Sequence, residues 1–116
     1  MRFLLTLKGS LTLTEYSVQI GKLAERDIYE AVSYIKEILF QPESARRIYN
    51  EIKTQISLLS DFPQRFAVIA EEPYRSMGMR KTAAANYLIF YLIDEKNKTV
   101  SVVRVLYNRR EWKDLI

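Results

Sequence analysis

NYLIFYLIDEKNKTVSVVRVLYNRREW, residues 86–112, reads as two long apolar strands joined by a charged turn. From Tyr87 to Ile93 no charge appears, as a strand buried on both faces requires. Asp94-Glu95-Lys96-Asn97-Lys98 is too polar to bury and is rich in turn formers. The next strand, Thr99 to Tyr107, is dense in valine and carries one inserted charge, Arg104. Tyr107, Arg109, Arg110 and Trp112 then arrive where that strand ends. Cations and aromatic rings collected at a strand end suit an anionic ligand.

Working back from this hairpin, the apolar period changes. Ala24, Ile28, Ala31, Val32, Ile35, Ile38 and Leu39 follow the spacing of one helix face, with Glu25, Arg26, Glu30, Lys36 and Glu37 on the other. Pro42 stops that helix and opens a second one, whose stripe is Ala45, Ile48, Ile52, Ile56 and Leu59. Ser60-Asp61-Phe62-Pro63 ends it. Before the helices, Tyr16 to Ile20 alternates apolar and polar like a half-buried strand. Between helices and hairpin, Phe66–Ala70 and Met77–Arg80 read as short strands. The order is strand, helix, helix, then three or four strands. That is an α+β fold in which a helical hairpin covers one face of an antiparallel sheet. Residues 1–14 read as an N-terminal extension and 15–116 as a single domain.

Composition narrows the chemistry. The chain of 116 residues is 48% hydrophobic and 28% charged, the balance of a globular domain. It has no cysteine, so disulfides, thiolate nucleophiles and Cys-based zinc sites are excluded. It has no histidine, which removes a Ser-His-Asp triad, His-ligated metal and the usual general base near neutrality. No cofactor or metal is expected. Any proton transfer would fall to Tyr, Lys, Arg, Asp or Glu with shifted pKa values, whereas electrostatic clamping stays open. Net charge is +4, which favours an anionic partner. No apolar run approaches the roughly 20 residues of a membrane span, and Lys8 interrupts the short apolar start; a cytoplasmic protein with no membrane partner is expected.

Several of these residues resemble those of a known family. Leu59-Ser60-Asp61-Phe62-Pro63 resembles the L-x-x-F-P boundary of the RelE/ParE toxin superfamily. Met79-Arg80 shortly before the Asn86–Tyr91 strand does so too, and Val103–Arg110 is similar to that family's R-V-L-H-x-R-R-D ending. The resemblance runs from about Tyr16 to Trp112. It implies the toxin of a type II toxin–antitoxin pair, neutralised by a small antitoxin and meeting operator DNA only through that antitoxin. ParE-like members inhibit DNA gyrase; RelE-like members cleave mRNA on the ribosome. Positions that carry arginine and lysine in the nucleases correspond here to Leu88, Ser76 and Gly78. Their C-terminal tyrosine corresponds to Leu115, while their C-terminal arginine has a match in Arg109. The histidine usual before the last basic pair is Tyr107. The resemblance therefore leans to the ParE branch, with the ribosome-dependent endoribonuclease as the alternative.

The candidate target- or phosphate-binding residues are Arg80, Arg104, Arg109 and Arg110. For a nuclease, Arg80, Tyr107, Arg109 and Arg110 would carry the chemistry, the arginines stabilising a phosphorane and Tyr107 moving a proton. Each has a structural reading beside the functional one. Arg80 could cap a carbonyl or pair with Glu71 or Glu72, and the last arginines could pair with Glu111 and Asp114. Tyr107 and Trp112 could simply pack at the sheet edge, and Glu71-Glu72 could be a solvated loop rather than a general base.

Overall fold

A computed structural model describes residues 15–108 together with Trp112 and Ile116. The expected extension at 1–14 therefore lies outside the described residues. Strand β1 (Ser17–Ile20) is followed by helix α1 (Lys22–Ser33). A π-turn (Tyr34–Ile38) leads to helix α2 (Pro42–Ser57), which runs out in a 3-10 turn (Leu58–Ser60). After a single helical turn, α3 (Tyr74–Met77), come strands β2 (Arg80–Ala84), β3 (Tyr87–Asp94) and β4 (Thr99–Tyr107). This is the α+β arrangement expected from the sequence, with the sheet ordered β1-β4-β3-β2.

The sheet is mixed. β2, β3 and β4 pair antiparallel, whereas β1 joins β4 in parallel, Ser17 opposite Thr99 and Ile20 opposite Val102. A parallel pairing requires a crossover, which the helical hairpin supplies. Gly21 makes the exit from β1 possible. Its N–H donates to the Val102 carbonyl at 2.9 Å, and a Cβ would stand 3.2 Å from that oxygen.

Pro42 occupies the first turn of α2, where its missing N–H leaves no helical bond unmade. Ala24, Ile52, Ile56 and Leu59 pack from the hairpin onto Ile89, Tyr91, Val100, Val102 and Val105 of the sheet, and Ile35 and Ala45 are buried as well. Phe90, Leu106, Met79, Ile69 and Tyr74 are buried on the opposite face beneath Trp112. β3 is thus covered on both sides, which is why its sequence is an unbroken apolar run.

Two expected features differ. Ile38 and Leu39 belong to the α1 stripe by spacing but are 61% and 45% exposed. The π-turn admits one extra residue and so rotates the residues after it by roughly 100° out of register. The two short strands before β2 also shrink. Phe66–Ala70 survives as one bridge, Val68 to Arg80. Met77 ends a helical turn, closed by Gly78 in the left-handed region at φ 75°, so the strand starts only at Arg80.

Candidate target-binding surface

Arg104 owes its position to a fault in the sheet. Phe90 pairs with Arg104 but Tyr91 with Val102, so Val103 is an extra residue in β4. This bulge brings Arg104 and Val105 together toward α1. There the Asp27 carboxylate accepts from Arg104 Nε at 2.7 Å, from Arg104 Nη2 at 3.0 Å and from the Val105 N–H at 3.0 Å. Both side chains are mostly buried, Arg104 18% and Asp27 10% exposed. The Asp27 hydrogen bonds push the guanidinium pKa further up, against a smaller opposing effect of burial. The pair is bidentate and locks helix to strand.

Arg80 is engaged differently. It opens β2, and its Nη1 donates to the carbonyls of Gln64 at 3.1 Å and Phe66 at 2.5 Å. It therefore caps the loop after α2, the carbonyl-capping role that was the alternative to a binding role. β3 lies between the two arginine-bearing strands, so their backbones stand about 10 Å apart, and the two guanidinium groups are held by different partners. Arg109 and Arg110 lie outside the described residues.

Tyr107 sits at the end of β4, half-exposed, with its ring edge-on to Tyr87 at 5.5 Å and 64°. Burial, and secondarily the charge of Tyr107, push the Tyr87 hydroxyl above its ordinary range. Tyr91, buried in the core, donates to the Pro63 carbonyl at 2.7 Å and is pushed up to about 12, mainly by burial. Both shifts keep these hydroxyls protonated well above neutrality. Glu72 moves the other way. Hydrogen bonds from Ser76 and Arg75 hold its carboxyl below the usual range, so it is a weaker base than an ordinary glutamate. Among the described residues no group of three or more acidic side chains is placed to hold a metal ion.

Two of the concavities beside the helical hairpin carry tyrosines. One, of about 620 Å³, lies between the hairpin and the end of the β3–β4 ribbon; Tyr34, Tyr87, Tyr107, Asn86, Arg47 and Asp27 are among its lining residues. The other, of about 530 Å³, is a mainly apolar groove between α1 and α2 that includes Ile28, Tyr29, Val32, Tyr49, Ile52 and Ile56. Tyr29, Tyr34 and Tyr49 are 72%, 54% and 43% exposed. Trp112 packs near Phe90 and Tyr74, with ring centroids 5.1 and 5.7 Å apart, and Lys81 stands over it at 4.7 Å. Asp27 was not singled out from the sequence. Its only local signal is a carboxylate adjoining the apolar stripe at Ile28.

The family model described as the ParE toxin of the type II toxin–antitoxin system parDE matches residues 18–112. No curated protein matches. Among solved structures, the fold is similar to that of the chromosomal ParDE system of P. aeruginosa, with TM-score 0.66 and 17% identity over 82% of this chain and 98% of that one. It is also similar to the RelBE2 toxin–antitoxin complex of Mycobacterium tuberculosis, with TM-score 0.60 and 23% identity over 80% and 98%. The archaeal RelE–RelB complex of Pyrococcus horikoshii OT3 gives TM-score 0.55 and 17% identity over 83% and 98%.

Proposed function

The chain belongs to the ParE toxin family of type II toxin–antitoxin systems, and from that membership we propose that it arrests growth by binding an essential cytoplasmic target, DNA gyrase, and is neutralised by a small cognate antitoxin. The observation that carries binding over catalysis is the fate of its charged and titratable groups. Arg104 is clamped by Asp27, and Arg80 caps two carbonyls. RNA cleavage needs a proton acceptor beside the attacking hydroxyl and cations around the phosphate. Arg80 and Arg104, two of the candidate cations among the described residues, are committed to other oxygens, which supports the binding reading.

The antitoxin is assigned to the groove between α1 and α2. An amphipathic segment laid there covers Tyr29, Val32 and Tyr49 and removes apolar area from water at about 25 cal/mol per Å². Acidic antitoxin residues would answer the chain's net charge of +4. Arg109 and Arg110 are retained as target contacts.

Expression without antitoxin, with 5′-end mapping of cellular mRNA and a gyrase supercoiling assay, tests this reading. Intact mRNA with blocked supercoiling is the expected result. Codon-phased cuts with normal supercoiling would establish the ribosome-dependent endoribonuclease instead. Arg109→Glu is expected to lower growth inhibition at unchanged protein abundance; full inhibition by that variant would remove Arg109 from the contact surface.

A further inference from the structure

We propose that the tip of the helical hairpin, Ile38–Leu39–Phe40, is the knob by which this toxin engages its protein target, with Phe40 entering an apolar socket on that target. The inference rests on the reading that the chain acts by binding a target. It goes beyond that reading by naming the contact.

Phe40 is placed against two physical preferences at once. Its φ is 54°, in the left-handed region where a helix end ordinarily takes glycine and where a bulky side chain is strained. Its side chain is also 82% exposed, the most exposed large apolar residue described, so it gains nothing from the core. The backbone around it is held firmly. Leu39 N–H donates to the Tyr34 carbonyl at 3.1 Å, and Gln41 N–H to the Ile35 carbonyl at 3.0 Å. Strain that folding does not use, at a rigid and exposed point, is what functional contacts retain.

The surroundings indicate what kind of partner fits. Ile38 and Leu39 are exposed beside Phe40, so the tip is a contiguous apolar patch. Phe62 shares the left-handed backbone at φ 52° and is 60% exposed, but it stands between exposed Asp61 and buried Pro63 as a single ring. Around the tip lie charges of both signs, Lys36, Glu37, Glu43 and Arg46, with Arg46 and Glu43 paired at 2.9 Å. A nucleic acid or an anionic membrane would be met by a uniformly basic rim. An apolar centre within a mixed polar rim is the pattern of a protein interface, and a projecting aromatic ring requires a concave partner. Tyr34, Leu39 and Gln41 also line the 620 Å³ concavity, so the contact surface continues from the knob into the pocket beside it.

The experiment uses the full chain as wild type, Phe40→Gly, Phe40→Asp and Phe40→Trp. It measures inhibition of purified gyrase supercoiling, thermal melting and elution volume. Phe40→Gly is expected to melt at or above the wild-type temperature yet lose at least tenfold in inhibitory potency. Phe40→Asp loses as much, and Phe40→Trp, which keeps apolar bulk, retains inhibition. Wild-type potency in Phe40→Gly overturns the knob while leaving gyrase as the target. A wild-type chain that leaves supercoiling untouched removes the gyrase reading and the knob with it. A wild-type dimer that Phe40→Gly converts to monomer assigns the tip to self-contact and also overturns the proposal.

Discussion

Asp27 is the residue whose role is easiest to weigh. It satisfies the Arg104 fork and the N–H of Val105 at the β4 bulge, so its loss takes the bidentate carboxylate from a mostly buried cation and this acceptor from a backbone donor. Truncating one member of such a pair is more damaging than the net worth of the pair. Asp27→Ala is expected to destabilise the fold by about 2–3 kcal/mol in denaturant unfolding. Asp27→Asn should lose less, since an amide oxygen still accepts one of these bonds. Equal stability of Asp27→Ala and wild type would show the ion pair to be ornamental. Tyr91 gives a pH prediction. Its folded pKa, about 12, lies above the ordinary value near 10. The unfolded chain therefore releases this proton first, and stability that is fully present below about pH 10 falls as pH rises toward 12. The loss is on the order of 2 kcal/mol. Tyr91→Phe should flatten that alkaline slope. At neutral pH it costs about 1 kcal/mol, because the Pro63 carbonyl loses its donor.

At the scale of elements, the helical hairpin carries both the core stripe and the proposed contact. Ile52 of α2 is 1% exposed and touches the sheet, so Ile52→Ala should cost about 2–5 kcal/mol and lower the melting temperature accordingly. The tip behaves oppositely. Phe40→Gly relieves left-handed strain worth about 1–2 kcal/mol, partly offset by glycine's greater freedom in the unfolded chain. A net gain of about 0.5–1 kcal/mol in unfolding free energy is expected, whereas a clear loss would mean that the ring supports the fold. The hairpin was legible in sequence because its stripes repeat at helical spacing and Pro42 separates them. The rotation of Ile38 and Leu39 to the surface was not. A π-turn depends on which carbonyl each N–H finds, and side-chain periodicity does not record that.

Across the whole molecule, three segments far apart in sequence are tied together by one polar cluster. The Tyr16 hydroxyl donates to Glu95 at 2.6 Å, and Gln64 donates to both Tyr16 and Glu95. Hydrogen bonds from Tyr16 and then Gln64 hold the Glu95 carboxyl below its ordinary range. The stability that this carboxylate contributes is therefore present above the unfolded value and is lost as pH falls through the lower folded value. Glu95→Gln should flatten the acid limb of the stability profile, and an unchanged limb would exclude the cluster from it. What the sequence by itself determined is the α+β order, the two-faced burial of β3 and the absence of histidine and cysteine chemistry. Period, breaker residues and composition are local properties, and they suffice for these. The parallel seat of β1 and the engagement of Arg104 and Arg80 were decided only by tertiary structure. Asp27 and Arg104 are separated by 77 positions, and Arg80 and the Phe66 carbonyl by 14. Charge along a chain shows that a cation exists, but only the fold shows which oxygens reach it first.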